Sequence, residues 1–345
     1  KLKIYRCPLW VPKNPIAISR VLHLLTFALS SLPIFLKLLF WKPNGIITIA
    51  PAIFCAQIVC FAKFIFRKRI KTWLHIQDFE IDAAFDLNLI KNNFLKKITL
   101  FWERELLNNF DNVSTISPDM ISKLKSKRIR PEKIFYMPNW IDLQEIFPIE
   151  AIDDNFYRRK YNISNEKIVI LYSGSMNKKQ GLNKILKVIE FFKEDKKIFW
   201  ILAGDGPEKN QIIYKTKNIK NIIILPLQER KYFNALLNCA NIHLLPQKEG
   251  IETNALPSKF IGMIASGKPI ITCASKNTYL GEISSKVGIR VDPQKESEII
   301  QAINNLTSDE TKRIEFGKKA REESYYFDKK KILDAFFKKI QIVFS

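Results

Sequence analysis

Between residues 256 and 274 the chain reads LPSKFIGMIASGKPIITCA, and the residue types and spacing suit the binding of an anion. Pro257 and Ser258 signal a helix start, the apolar run Phe260, Ile261, Met263 and Ile264 carries it, and Gly267 stops it. Pro269 forbids more helix, while Ile270, Ile271 and Thr272 are β-formers, so a short helix should feed a buried strand. The amino end of such a helix presents unpaired backbone N–H groups. A hydroxyl (Ser258) and an ammonium (Lys259) join them here. That set suits a diphosphate. An ordinary capped helix with a solvated lysine is the plainer reading of the same residues, and the company this stretch keeps decides between the two.

Other loops add weaker signals. Ser173-Gly174-Ser175 leads through Lys178, Lys179 and Gln180 to Gly181, a strand-to-helix loop with two glycines and two lysines, apt for phosphate. It has neither GxxxxGK[ST] nor GxGxxG, so no P-loop or dinucleotide fold follows. Gly204-Asp205-Gly206-Pro207 reads equally as a tight turn. Asp78, Glu80 and Asp82 alternate on one loop and could hold a metal, although a solvated edge produces the same run. His75 ends an apolar strand, where a packing role competes with a catalytic one. Asp205, Glu249 and Glu252 form a scattered carboxylate set. No Ser-His-Asp or Cys-His arrangement is legible.

The elements that must position these loops alternate. Strands are expected at 45–50, 72–76, 113–116 and 134–137, with helices over 17–41 (broken near Pro33), from Pro51, over 88–109 and from Ser117-Pro118. Periodicity lapses over 143–166, which places a domain boundary after residue 148. Strands then recur at 168–172, 199–203, 222–225, 242–245, 270–272 and 288–291, and helices fill 295–343. Strand alternating with helix means α/β layers around parallel sheets. Ligands of such sheets bind beyond the carboxyl ends of the strands, where all the loops above fall.

The chain has 345 residues, 47% apolar and 26% charged, enough for two domains with real cores. Its five cysteines are scattered without CxxC spacing and read as reduced core thiols of a cytoplasmic protein. The net charge is +22, and residues 1–77 hold 12 Lys or Arg with no Asp or Glu. That segment is also strongly apolar, which points to an anionic membrane surface. No zinc spacing or RNP-type aromatic motif supports a nucleic-acid partner. No signal-peptide pattern opens the chain. Val21 to Trp41 is long enough to cross a bilayer, but His23, Pro33 and Lys37 interrupt it; a helix that packs on a sheet or lies in the interface is expected.

Taken in order, the loops resemble a known family. Tyr172 to Leu182 (YSGSMNKKQGL), AGDGP at 203–207, LLPQK at 244–248 and LPSK at 256–259 followed by ASGKP at 265–269 are similar to family 4 retaining glycosyltransferases. The resemblance is to the subgroup of colanic acid biosynthesis and fucosaminyl transferases, and RCPLWVPKNP, LHIQDFEIDAAF, VSTISPDM and PNWID extend it over nearly the whole chain. It implies a GT-B architecture, α/β, with two Rossmann-like domains whose parallel sheets face a central cleft. The division would be an acceptor-side, membrane-facing domain at 1–148, a nucleotide-sugar domain at 149–328, and a terminal helix at 329–345 crossing back.

The resemblance also implies roles. Gly174, Ser175, Lys179, Ser258 and Lys259 would face the donor diphosphate; Gly204, Asp205, Gly206 and Leu227 would border the nucleoside; Glu249, Gly250, Glu252 and Asn254 would border the donor sugar. His75, Asp78 and Glu80, with Lys259, would be the catalytic set. No metal and no cofactor is implied; a UDP- or GDP-sugar is the substrate. The acceptor would be a polyprenyl-diphosphate-linked saccharide, used at the inner face of a bacterial plasma membrane. Two departures stand out: the family's paired Glu eight residues apart falls on Asn254 and Gly262, and its loop Arg and Lys fall on Ser175 and Gln180. The family's first βαβ portion precedes the segment that matches Lys1, so the amino domain is expected to be truncated. A non-catalytic module that binds nucleotide sugar, and a nucleotide-sugar epimerase, are the alternatives.

Overall fold

The computed structural model describes residues 2–12, 17–51, 53–66, 70–79, 93–150, 154–248 and 255–344. It divides into two compact units, one of residues 1–138 with 335–345 and one of residues 139–334.

The first unit is built on four parallel strands lying in sequence order, β1 (Gly45–Ala50), β2 (Lys71–Ile76), β3 (Asn112–Thr115) and β4 (Ile134–Tyr136). β2 is buried from Thr72 to Ile76, the pattern of a strand covered on both faces. Its register pairs Gly45 with Lys71, Trp73 with Asn112, and β3's Val113 with Ile134. Among the described residues, helices α1 (Ala17–Leu39), α2 (Ile53–Ile65), α3 (Asn93–Asn109) and α4 (Pro118–Ser126) connect or precede these strands. α4 begins as its sequence suggests, with Ser117 Oγ accepting from the Met120 N–H at 3.1 Å and Pro118 in the first turn. Lys63 of α2 donates to Asp111 Oδ1 at 2.8 Å, and Asp111 also accepts from the Thr72 backbone and hydroxyl. Burial alone would raise the Asp111 pKa, but these donors outweigh it and hold the carboxyl below its usual range.

α1 does not break near Pro33; it runs unbroken through it. A proline removes one helical hydrogen bond and crowds the preceding turn, yet the apolar residues on either side keep one register across it.

The second unit carries six parallel strands in the order β10-β9-β8-β5-β6-β7, formed by β5 (Ile168–Ser173), β6 (Ile198–Ala203), β7 (Ile222–Leu225), β8 (Ile242–Leu245), β9 (Ile270–Cys273) and β10 (Gly288–Val291). β5, β8 and β9 are almost wholly buried, and their residues are mostly apolar without alternation, with Ser173, His243 and Thr272 as buried polar members. The helices are α5 (Phe156–Lys160), α6 (Leu182–Phe191), α7 (Lys209–Thr216), α8 (Phe233–Asn238), α9 (Ser258–Ala265), α10 (Tyr279–Val287), α11 (Glu296–Ser308), α12 (Glu310–Ser324) and α13 (Lys329–Phe344). Residues 335–344 of α13 belong to the first unit, where Phe336 meets Trp73 edge-on at 5.2 Å.

The units divide after Pro138 and not after residue 148. The intervening decapeptide is tied to the second unit: the Ile141 N–H donates to Phe327 O at 2.9 Å, Ile141 O accepts from the Lys329 N–H at 2.9 Å, and the Phe147 N–H donates to Asn234 Oδ1 at 3.2 Å. Irregular periodicity marks this stretch as loop but says nothing of which core it lies on.

Candidate active site

β6 and β7 lie on one side of β5, and β8, β9 and β10 on the other, so the strand order reverses between β5 and β8. In an open parallel sheet the crevice past the carboxyl ends of such a pair is where ligands bind. The loops that leave β5 and β8 meet there. The Lys248 N–H donates to Lys179 O at 3.0 Å. Gly181, at φ +63°, comes so close to the second loop that a Cβ would lie 3.1 Å from Gln247 O.

The loop after β6 is zipped onto the loop after β5. The Gly174 N–H donates to Ala203 O (2.9 Å), the Met176 N–H to Asp205 O (2.7 Å) and the Glu208 N–H to Met176 O (3.0 Å). Gly204 and Gly206 permit this approach, since a Cβ on them would sit 1.9 Å from Gly174 O and 2.4 Å from Met176 O. Beside any nucleoside role, then, both glycines are required by backbone packing. Asp205 is exposed; its carboxylate accepts from the Gly206 N–H at 2.9 Å and pairs with Lys209 at 3.6 Å. Leu227, past β7, is 79% exposed.

Lys259 reaches into the same place from the first turn of α9, which starts at Pro257 without a side-chain cap. Its ammonium donates to Gln180 Oε1 and lies 4.8 Å from the ring centre of Tyr172. A Cβ on Gly174 would meet Lys259 Cδ at 3.2 Å and Nζ at 3.4 Å. Burial pulls the lysine pKa down to about 8. Tyr172 is fully buried, donates to Ser175 O at 2.6 Å, and has its phenol pKa pushed up by that burial. Ser258 and Ser175 are exposed, and Ser175 Oγ accepts from Asn177 at 2.8 Å. The Lys179 side chain is exposed on the same turn, where its N–H donates to Asn177 Oδ1 at 3.0 Å.

In the first unit, His75 is buried with both ring nitrogens engaged, Nδ1 2.9 Å from Ser114 Oγ and Nε2 2.6 Å from Gln77 Nε2. Burial pulls its pKa down to about 4, so the ring is neutral at physiological pH. Asp78 is half-buried and lines, with Glu103 and Phe79, a cavity of about 30 Å³, room for a single water. Glu80, Glu249, Gly250, Glu252 and Asn254 lie outside the described residues. Among the described residues no cluster of three His, Cys, Asp or Glu is placed to hold a metal ion.

A family model described as glycosyl transferases group 1 matches residues 153–323, the segment that holds the switch-point loops and α9. The putative colanic acid biosynthesis glycosyl transferase WcaI of Escherichia coli (strain K12) is 32% identical over 308 residues, covering 87% of this chain and 75% of the relative. The chain belongs to the group 1 glycosyl transferases. Its two parallel-sheet units are GT-B in class, as in solved structures of low identity. Sucrose-phosphate synthase from Thermosynechococcus elongatus aligns over 98% of this chain and 82% of its own with a TM-score of 0.75 and 15% identity. Anabaena Alr3699/HepE in complex with UDP-glucose aligns over 86% and 78% with a TM-score of 0.66 and 15% identity.

Within this group 1 glycosyl transferase the structure thus brings Lys259 and Gly174 together, while the side chains of Ser175, Lys179 and Ser258 stand exposed on the adjoining loops. Two residues at the centre of the cluster, Tyr172 and Gln180, belong to no sequence motif that assigns them a role. Tyr172 reads as one more strand residue. The signal for Gln180 was its place, where the family carries a cation.

Proposed function

We propose that this chain is a retaining, metal-independent glycosyltransferase that moves a sugar from a UDP- or GDP-sugar to a polyprenyl-diphosphate-linked saccharide in surface polysaccharide assembly. The observation that carries this reading is the Lys259 ammonium beside Gly174, at the reversal of the strand order. Negative charge builds on the departing diphosphate as the sugar–oxygen bond breaks. A fixed ammonium and the amino end of α9 stabilise that charge in place, without reorganisation. The acceptor hydroxyl attacks from the face the diphosphate leaves, and its proton passes to the departing phosphate oxygen. WcaI is named for colanic acid biosynthesis, and the HepE structure holds UDP-glucose, which together support a nucleotide-sugar donor and a polysaccharide product.

The test is incubation with a panel of UDP- and GDP-sugars and a lipid-linked acceptor, read by mass spectrometry, with the new linkage's anomeric configuration read by NMR. Retained configuration is expected; inversion, or no transfer from any donor, would sink the reading.

The membrane part rests on the first unit. Val21–Leu39 is long and apolar enough to cross a bilayer by length and composition, and little of it is buried. Val21, Leu22, Leu29 and Leu36 of α1 and Phe61, Phe64 and Ile65 of α2 are exposed, in a segment whose charged side chains are all basic. Apolar side chains flanked by cations fit an anionic interface. Binding to phosphatidylglycerol vesicles should exceed binding to phosphatidylcholine vesicles and weaken as salt rises. Equal, salt-independent sedimentation with both would remove the membrane from the proposal.

A further inference from the structure

We infer that Gln180 and Tyr172 are positioning residues that hold the Lys259 ammonium in place without neutralising it. The inference rests on the reading of Lys259 as the cation that meets the donor diphosphate.

A lysine drawn into a protein surface ordinarily pairs with a carboxylate. Among the described residues none pairs with Lys259. Its side-chain hydrogen bond goes to the neutral Gln180 amide, and its ammonium faces the Tyr172 ring. An ammonium has three N–H donors, so one bond to an amide leaves two for a ligand. An amide and an aromatic face each offer a dipole or quadrupole but no charge, so the full positive charge stays available.

Both holders are themselves fixed. Gln180 ends the short 3-10 turn Lys178–Gln180, which Asn177 caps and Gly181 closes at φ +63°; the Gln180 N–H donates to Asn177 O at 3.0 Å. The Tyr172 hydroxyl is anchored on Ser175 O at 2.6 Å, which sets the ring under the loop. Gly174, at φ +148°, leaves the lane through which the lysine stem passes. Among the described residues, Glu208 at the start of α7 is a charge that acts on Tyr172, Lys179 precedes Gln180 on the turn, and the residue before Lys259 on α9 is the neutral Ser258. With burial unopposed, the lysine sits near pH 8, charged at neutrality yet responsive to any charge placed beside it.

The experiment measures UDP and GDP binding by calorimetry to the full chain and to Q180E, Q180L and K259A, across roughly pH 6.5 to 9.5. Parent affinity should be full below about 8 and fall above it. In Q180E the new carboxylate pairs with the ammonium, so affinity at neutral pH should drop about tenfold or more while the alkaline limb moves up by about one unit. In Q180L the ammonium loses its acceptor, so the limb should move down and affinity near pH 7.5 should fall about tenfold. A merely structural residue would not shift the limb in opposite directions. Limbs that stay put, or move the same way, overturn the inference. Should Q180L fail to fold, the upward limb of Q180E decides alone. If K259A binds as tightly as the parent, the reading of Lys259 itself falls; if K259A loses binding while the Q180E and Q180L limbs stay put, only the positioning role falls.

Discussion

Lys259→Met lowers turnover about 100- to 1,000-fold and leaves the protein folded, at unchanged or higher stability near neutral pH. The first part follows from what a preorganised cation does for a departing oxyanion; removing one such donor costs about two to three orders of magnitude. Methionine keeps the stem that packs between Gly174 and Tyr172 and removes only the charge. The second part follows from linkage. The Lys259 pKa is pulled from 10.5 to about 8 in the folded state, so between those values the unfolded chain holds more protons. Stability of the parent therefore rises as pH climbs through that window, and below about 8 the folded state carries the cost of a charged, desolvated ammonium. The variant lacks that cost and should lose the rise. Steady-state turnover and urea unfolding at a pH below 8 and one above 10 check both parts. Normal turnover in the variant, or a parent stability that ignores pH across this window, would count against the assignment.

Gly204→Ala should have the largest effect on stability, a loss of about 3 kcal/mol or more, or no soluble protein at all. The added methyl would sit 1.9 Å from Gly174 O, a backbone atom that cannot swing aside, at a φ of +154° that an L side chain rarely adopts. Relief would require parting the loops after β5 and β6, which breaks the bonds from Met176 to Asp205 and from Glu208 to Met176. Gly262→Ala is the control. It lies inside α9 with its nearest neighbour, Leu237 Cδ1, at 3.6 Å, so alanine should be tolerated and should add helix propensity of roughly 1 kcal/mol. Equal urea midpoints for the two variants would mean that the zipped loops do not hold the site together.

Much of this was legible from residues alone. The strands ending in Ser173, Ala203 and Leu245 are mostly apolar runs closed by glycine or proline, and alternation with helices puts them in a parallel sheet that buries both faces. The approach of Lys259 to the β5 loop followed from placing both at carboxyl ends of one sheet. The choice of neighbours within that crevice was not legible. Nothing in Gln180 or Tyr172 announces that they face a lysine about 80 and 90 residues on, because that depends on the handed turn at Gly181 and on the β5–β8 reversal. Gly204 and Gly206 looked like turn residues for the same reason: close backbone approach is a property of two loops, and a sequence window shows one. Pro33 misled in the opposite sense, since a local rule for breaking helices gave way to the apolar register of the whole of α1.

The most direct test of the central claim is the titration of the Lys259 side chain itself, followed by NMR of 13Cε-labelled lysine with and without saturating UDP or GDP and assigned by loss of the signal in Lys259→Met. The account predicts a pKa near 8 in the free protein and a rise of about one unit or more when either nucleotide binds, because a bound diphosphate favours the charged form. A pKa that does not move on binding would show that the ammonium and the diphosphate never meet.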